Sequence, residues 1–315
     1  MRFVAGPVRV SVPATSANLG PGFDTLGVAL DLRDELEAEV RSDGLEVVVE
    51  GEGEGAVPLD ERHLVVRSLH AALDAMGVRP PGLRLRCRNR VPHARGLGSS
   101  SAAIVGGITL ARALVDDPGG VALDDRQAFE LAARLEGHPD NVAPALFGGL
   151  TIAWMGPNGP QHKKLHVHRG VSPLVLVPEH TMSTALARSL QPQSVPHEDA
   201  IFNVSRSTLL IAALIQSPEL LLAATEDRLH QSYRAAAMPE TDRVLRLLRG
   251  AGHAAVVSGA GPSVLVLASD PGQRLAAAEL VADQADNRWT ALLPAVDIKG
   301  ATVVPHPAPT AAAPV

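Results

Sequence analysis

Apolar residues recur along this chain with two different periods, and the switching between them sketches its architecture. Val8, Val10 and Val12 alternate with Arg9 and Ser11, which predicts a strand ending at Pro13. Leu45, Val47 and Val49 predict a second strand, and Leu83, Leu85 and Cys87 a third. Between these two, Leu64, Val65, Ser68, Leu69, Ala72, Leu73 and Met76 keep helical spacing, and Gly77 supplies a stop. Helices are expected at 100–114, at 125–135 (with Phe129, Ala132, Ala133 and Leu135 inward) and at 142–147, ahead of a strand at 150–154. Gly156-Pro157-Asn158-Gly159-Pro160 reads as the start of a second unit. There the pattern predicts a strand at 174–177, a short helix at 183–190 and helices at 203–215, 219–224 and 243–249. A strand pair at 253–257 and 263–268 and a helix at 274–284 complete it. Strands and helices mix throughout with no internal repeat, so the class is α+β. The expected division is 1–160 and 161–304, with a disordered Pro/Ala-rich tail at 305–315.

Composition narrows the function classes. The 315 residues are 46% hydrophobic and 20% charged, enough for two ordinary cores. The net charge of −6 argues against nucleic acid as a partner. Three lysines (Lys163, Lys164, Lys299) leave 25 arginines among the 28 basic residues, so anion contacts fall to arginine or backbone amides. The single Cys87 excludes an internal disulfide and a cysteine-ligated metal. No signal core opens the chain and no apolar run of about 18 residues follows, so a cytoplasmic protein with no membrane partner is expected.

Four polar, glycine-bearing segments carry the candidate chemistry. In PHARGLGSSSAA (92–103), Gly96 and Gly98 allow a close backbone approach, and three hydroxyls follow at the start of a small-residue helix. A helix start with free N–H groups and a positive dipole suits a polyphosphate. No Lys-Ser/Thr pair follows, so this is not a Walker loop. PATSANLGPGFD (13–24) feeds a strand into a loop that can present Asn18 and Asp24, or can use both in Asx turns. LEGHPDN (135–141) packs Glu136, His138, Asp140 and Asn141 together. Glu136 is a reasonable Mg²⁺ ligand beside a nucleotide, and ordinary helix-end turn chemistry is the alternative. SGAGPS (258–263) is a second glycine loop, able to abut a ligand or simply to turn a hairpin.

In this order the four segments resemble the homoserine kinases, a family within the GHMP kinases, over roughly residues 8 to 290. The resemblance implies an N-terminal nucleotide domain with a left-handed β-α-β unit and a C-terminal ferredoxin-like domain. ATP and substrate would meet between them. It places ATP on Pro92, Arg95, Gly96, Leu97, Gly98, Ser99, Ser100, Ser101 and Ala102, with His63 where the family often carries an adenine-contacting Asn. Mg²⁺ would sit at Ser99, Ser100 and Glu136. L-Homoserine would be held by Asn18, Asp24, His138, Asn141, Arg188, Arg234 and Gly261, with Thr184, Asn18 and Arg188 acting in catalysis. Asp24 is the natural partner for the ammonium and the two arginines for the carboxylate. Several GHMP kinases place a general-base aspartate where this chain has Thr184, so no strong side-chain base is expected. The resemblance also implies a homodimer. Rival readings are another GHMP small-molecule kinase, acting on mevalonate, an isoprenoid precursor or shikimate, or a non-catalytic metabolite sensor of the same fold.

Overall fold

The computed structural model describes residues 2–116, 120, 122–285 and 288–305. Beyond Pro305, the expected disordered tail lies outside the described residues. The chain opens with β1 (Arg2–Phe3) and β2 (Val8–Ala17). β2 runs on through Pro13, where a terminus was expected, to Ala17. A bulge between Pro13 and Ala14 shifts its register against β3 (Leu26–Arg41). Proline has no N–H for a ladder, and a bulge is where a sheet can accept one. β3 was not expected. Its buried Asp34, Leu36 and Ala38 alternate with Glu35, Glu37 and Glu39, and the charges dilute the apolar pattern.

β4 (Leu45–Gly51), α1 (Leu64–Ala75) and β5 (Gly82–Asn89) follow, with β4 and β5 parallel. α2 (Ser99–Leu114), β6 (Val115–Asp116), α3 (Asp125–Glu136) and α4 (Pro139–Phe147) lead to the antiparallel hairpin β7 (Leu150–Gly156) and β8 (Gly159–Leu165). In α3, Phe129, Ala132 and Ala133 are buried as expected, but Leu135 is exposed. α2 is the central helix. Gly107 lets it lie against α1, because a Cβ there would come within 2.5 Å of the Val65 carbonyl oxygen. Val10, Val12, Leu36 and Leu85 from the sheet pack with Leu69, Ile104, Ile108, Phe129 and Val142 from the four helices.

The second unit comprises β9 (Ser172–Pro178), α5 (Thr184–Ser189), α6 (His197–Ile215), α7 (Leu221–Ala224), α8 (Gln231–Arg234), α9 (Pro239–Gly250), β10 (Ala255–Val257), β11 (Val264–Ala268), α10 (Pro271–Gln284) and β12 (Trp289–Leu292). Its sheet is antiparallel in the order β10-β11-β9-β12. That is the β-α-β-β-α-β ferredoxin-like arrangement. Both faces are covered. Leu174 and Leu176 pack with Val244, Leu248 and Val281, whereas Val175 and Val177 join Ala14, Leu19, Val28 and Leu97 of the first unit. Burial on both faces explains the unbroken apolar run of β9.

β13 (Thr302–Val304) returns to pair with β2, and β8 belongs to the first sheet. The expected boundary at 160/161 therefore cuts a hairpin. The first sheet extends to Leu165 and regains the end of the described chain. Among the described residues no helix is long and apolar enough to cross a membrane.

Candidate active site

A cleft of about 260 Å³ collects all four polar segments. The loops that form it are tied to one another. Thr15 N–H donates to the Leu97 carbonyl, Met182 N–H to Ala94, and Gly259 N–H to Ala17. The Ser258 hydroxyl reaches the Gly96 carbonyl at 2.7 Å. Among the described residues, the non-glycine residues with left-handed φ are Asn18 (70°), Leu19 (49°), Asp24 (53°) and Ala94 (54°). All four lie in the loops after β2 and before α2. Such conformations cost on the order of 1 kcal/mol or more each and persist where surrounding structure enforces them.

One side of the cleft is built on the start of α2. Its cap, Gly98, has φ 67° and no side chain caps the helix, so the first-turn N–H groups have no side-chain acceptor. A Cβ on Gly98 would fall 1.9 Å from Thr15 Oγ1. Gly96, Leu97, Gly98, Ser99 and Ser100 line the cleft. Ser100 Oγ and Ser101 Oγ both donate to Glu136 Oε1 at 2.7 Å. One carboxylate beside hydroxyls and a helix start with uncapped N–H groups would suit Mg²⁺, which takes few protein ligands and completes its shell with phosphate and water. No cluster of three His, Cys, Asp or Glu side chains able to hold a metal by itself exists among the described residues.

The other side is built from charges. Asp24 and Arg188 form a two-pronged pair at 3.0 and 3.3 Å. His138 Nδ1 meets buried Asp140 Oδ1 at 2.5 Å. Burial pulls the His138 pKa down, but the hydrogen bond and charge of Asp140, with the charge of Glu136, outweigh it and raise the pKa overall. Asn141 accepts from Thr15 Oγ1 at 2.8 Å through its oxygen, leaving its NH₂. Asn18 spends its amide on the loop: Nδ2 donates to the Gly259 carbonyl at 2.8 Å, and Oδ1 accepts from Asp24 N–H at 2.9 Å. Thr184, the first residue of α5, is exposed and lines the cleft with Ser183.

Arg234 is only 2% exposed, yet it lines the cleft. Its Nη1 donates to the Gly259 carbonyl at 3.1 Å and to His230 Nδ1 at 3.2 Å. With its amide oxygen turned toward Arg234, Gln191 accepts from Nε at 2.9 Å. No carboxylate pairs with Arg234 among the described residues. Burial lowers its pKa, partly opposed by Asp24. An unpaired buried cation is costly, and an anionic ligand would offset that cost.

Several predicted residues fall outside the cleft lining. The Arg95 guanidinium binds the carbonyls of His93, Pro178 and Glu179, pinning the loop to the end of β9. Pro92, Ser101 and Ala102 are buried behind the loop. Gly259 and Ala260 line the cleft in place of Gly261. His63 is buried at the start of α1 and its Nδ1 has no hydrogen-bond partner. Burial, with the nearby charge of His93, lowers its pKa. Sequence reasoning missed Ser183, Asp140 as the His138 partner, and His230. Of these only Asp140 carried a cue, its place inside the Glu136–Asn141 cluster.

Residues 63–149 match the family described as GHMP kinases N terminal domain, and residues 210–289 match GHMP kinases C terminal. The homoserine kinase of Clavibacter michiganensis subsp. michiganensis is 69% identical over 94% of this chain and 93% of its own. That of Streptomyces avermitilis is 50% identical over 96% and 97%. The chain belongs to the homoserine kinase family of GHMP kinases. A crystal structure of homoserine kinase from Cytophaga hutchinsonii superposes with a TM-score of 0.84 at 24% identity, covering 96% of this chain and 99% of that one. The two-unit homoserine kinase fold is thus kept at low identity.

Proposed function

We propose that the protein transfers the γ-phosphoryl group of ATP to the side-chain hydroxyl of L-homoserine, giving O-phospho-L-homoserine in threonine biosynthesis. The observation that carries the substrate class is Arg234, a buried cation with no carboxylate partner among the described residues, facing the same cleft as the Asp24–Arg188 pair. An α-amino acid carries the carboxylate that Arg234 lacks and an ammonium that can join the Asp24–Arg188 pair on its acidic side. Its carboxylate takes Arg234 and Arg188, and its ammonium takes Asp24. Mevalonate and shikimate bring a carboxylate but no ammonium.

The triphosphate lies along Gly96–Ser100 against the start of α2. Arg95, Ser101 and Ala102 support that loop from behind, and His63 stands at the adenine end. Mg²⁺, held by Glu136 and a hydroxyl of Ser99 or Ser100, would neutralise charge between the phosphates. Asn141 and Thr184 orient the acceptor hydroxyl. Its oxygen forms the new bond to the γ-phosphorus as the bond to the β-phosphate oxygen breaks, and its proton leaves to the transferred phosphoryl group or to water. Asp140 is engaged with His138 and Asp24 with Arg188, so positioning supplies most of the rate. The enzyme works as a cytoplasmic homodimer.

Steady-state kinetics of Arg234→Ala and Arg188→Leu test the substrate arm. Loss of a charge-assisted contact is worth about 1.5–3 kcal/mol, so the homoserine KM should rise roughly 10- to 100-fold. The ATP KM should stay close to wild type. An unchanged homoserine KM in both variants would overturn the carboxylate assignment.

A further inference from the structure

Arg234 does not stand alone. His230, one helical turn earlier, is fully buried and is not part of the cleft lining. Its Nε2 lies 2.8 Å from the Gly20 carbonyl oxygen. A carbonyl can only accept, so Nε2 carries the proton and the neutral ring's Nδ1 is the acceptor for Arg234 Nη1. The same ring stacks on Phe23 at 4.8 Å and 16°. The Phe23 ring centroid is in turn 5.4 Å from the Arg234 guanidinium carbon. Asp227 fixes the backbone of this turn by accepting from the N–H groups of Leu229, His230 and Gln231. One imidazole thus joins two parts of the substrate half of the cleft: the arginine, and the loop whose left-handed residues end at Asp24.

We propose that His230 is a positioning residue for the substrate's α-carboxylate and α-ammonium groups, locking the Arg234 fork and the Asn18–Asp24 loop into one fixed spacing. Nδ1 restrains Nη1 and Gln191 restrains Nε, so Arg234 turns a defined edge to the cleft. Nε2 and the stacked Phe23 hold the backbone that carries Asp24. The imidazole touches no substrate atom; it sets the separation between the charges that do. The proposal rests on the homoserine reading and extends it to a residue behind the site.

The two ring nitrogens can be tested apart. His230→Asn places an amide oxygen near the Nδ1 position and keeps an acceptor for Arg234. His230→Gln places an amide N–H near the Nε2 position, keeping the donor to Gly20 but no acceptor for Arg234. Loss of a hydrogen bond to a charged group predicts a homoserine KM raised roughly tenfold or more in His230→Gln, with kcat and the ATP KM changed less than about threefold. His230→Asn instead gives up the neutral Nε2–Gly20 bond, a weaker interaction than one to a guanidinium, so its homoserine KM should rise only a few-fold. A packing role alone would move both variants together and would act on folding rather than on one KM. Wild-type enzyme inert toward homoserine would overturn the homoserine reading, and this proposal with it. An active wild type whose Asn and Gln variants share the same homoserine KM would overturn this proposal alone.

Discussion

Arg234 and Asp24 show how single residues here are held ready at a cost. Arg234 is buried with no carboxylate paired to it among the described residues, and Asp24 adopts φ 53° while bound to Arg188. The Arg234 cost falls if an amino acid supplies a carboxylate, and the Asp24 strain is already met before binding, which is pre-organisation for that ligand. Titration gives a second residue-level test. Burial lowers the pKa of His63, His162, His230 and His253. For a base with a lowered folded pKa, the unfolded chain binds protons first, so stability falls as pH drops through the unfolded value of about 6.5. His138 is raised and works in the opposite direction, but it is one against four. Calorimetry should therefore find a lower Tm at pH 5.5 than at pH 7.5; a higher Tm at pH 5.5 would contradict the burial described. Cys87 offers a third test. Burial pushes its thiol up to about 12, so a disulfide-exchange reagent at pH 8 should leave it unmodified until the protein unfolds. Rapid labelling of native protein would place it elsewhere. That buried thiol was legible from its alternation with Leu83 and Leu85. The His230–Gly20 contact was not, since nothing in local spacing ties residue 230 to the Gly20 carbonyl.

At the level of elements, helices were read more faithfully than strands. α1 follows from strong 3.6-residue periodicity closed by Gly77, and α2 from the glycine loop and small-residue run that open it. β3 escaped because three glutamates occupy its outward positions, and β8 because Gln161, His162, Lys163 and Lys164 give no apolar alternation. Both derive their strand character from neighbours in the sheet. The loop before α2 was readable for a different reason: its residues are dictated by sterics. Gly98→Ala should meet Thr15 Oγ1, disturb the Thr15–Asn141 bond and strain a left-handed position. A cost of about 1–3 kcal/mol predicts ATP affinity weakened roughly 5- to 150-fold. Isothermal titration checks this, and unchanged affinity would mean the loop does not carry the phosphates. The candidate site was legible where its residues cluster in sequence, in the four segments. It was illegible where a residue lies outside those segments and only the fold brings it to the site, as with Ser183, His230 and Gln191.

For the whole molecule, the decisive feature is that the two units are not separate bodies joined by a linker. Ala14, Leu19, Val28 and Leu97 share a core with Val175, Val177, Leu210 and Leu265, and β13 returns to the first sheet. Composition could not reveal this, because a strand returning from the far end of the chain looks like any short apolar segment. The shared core fixes the half of the cleft at the start of α2 against the half that carries Arg188 and Arg234, as in-line transfer requires. The most direct test of the account is a coupled ADP-release assay with Mg²⁺ and ATP against L-homoserine, mevalonate, shikimate and galactose. Turnover is expected with L-homoserine and little or none with the other three. ATP binding without ADP release on any of these alcohols, or preferential turnover of mevalonate or shikimate, would contradict it.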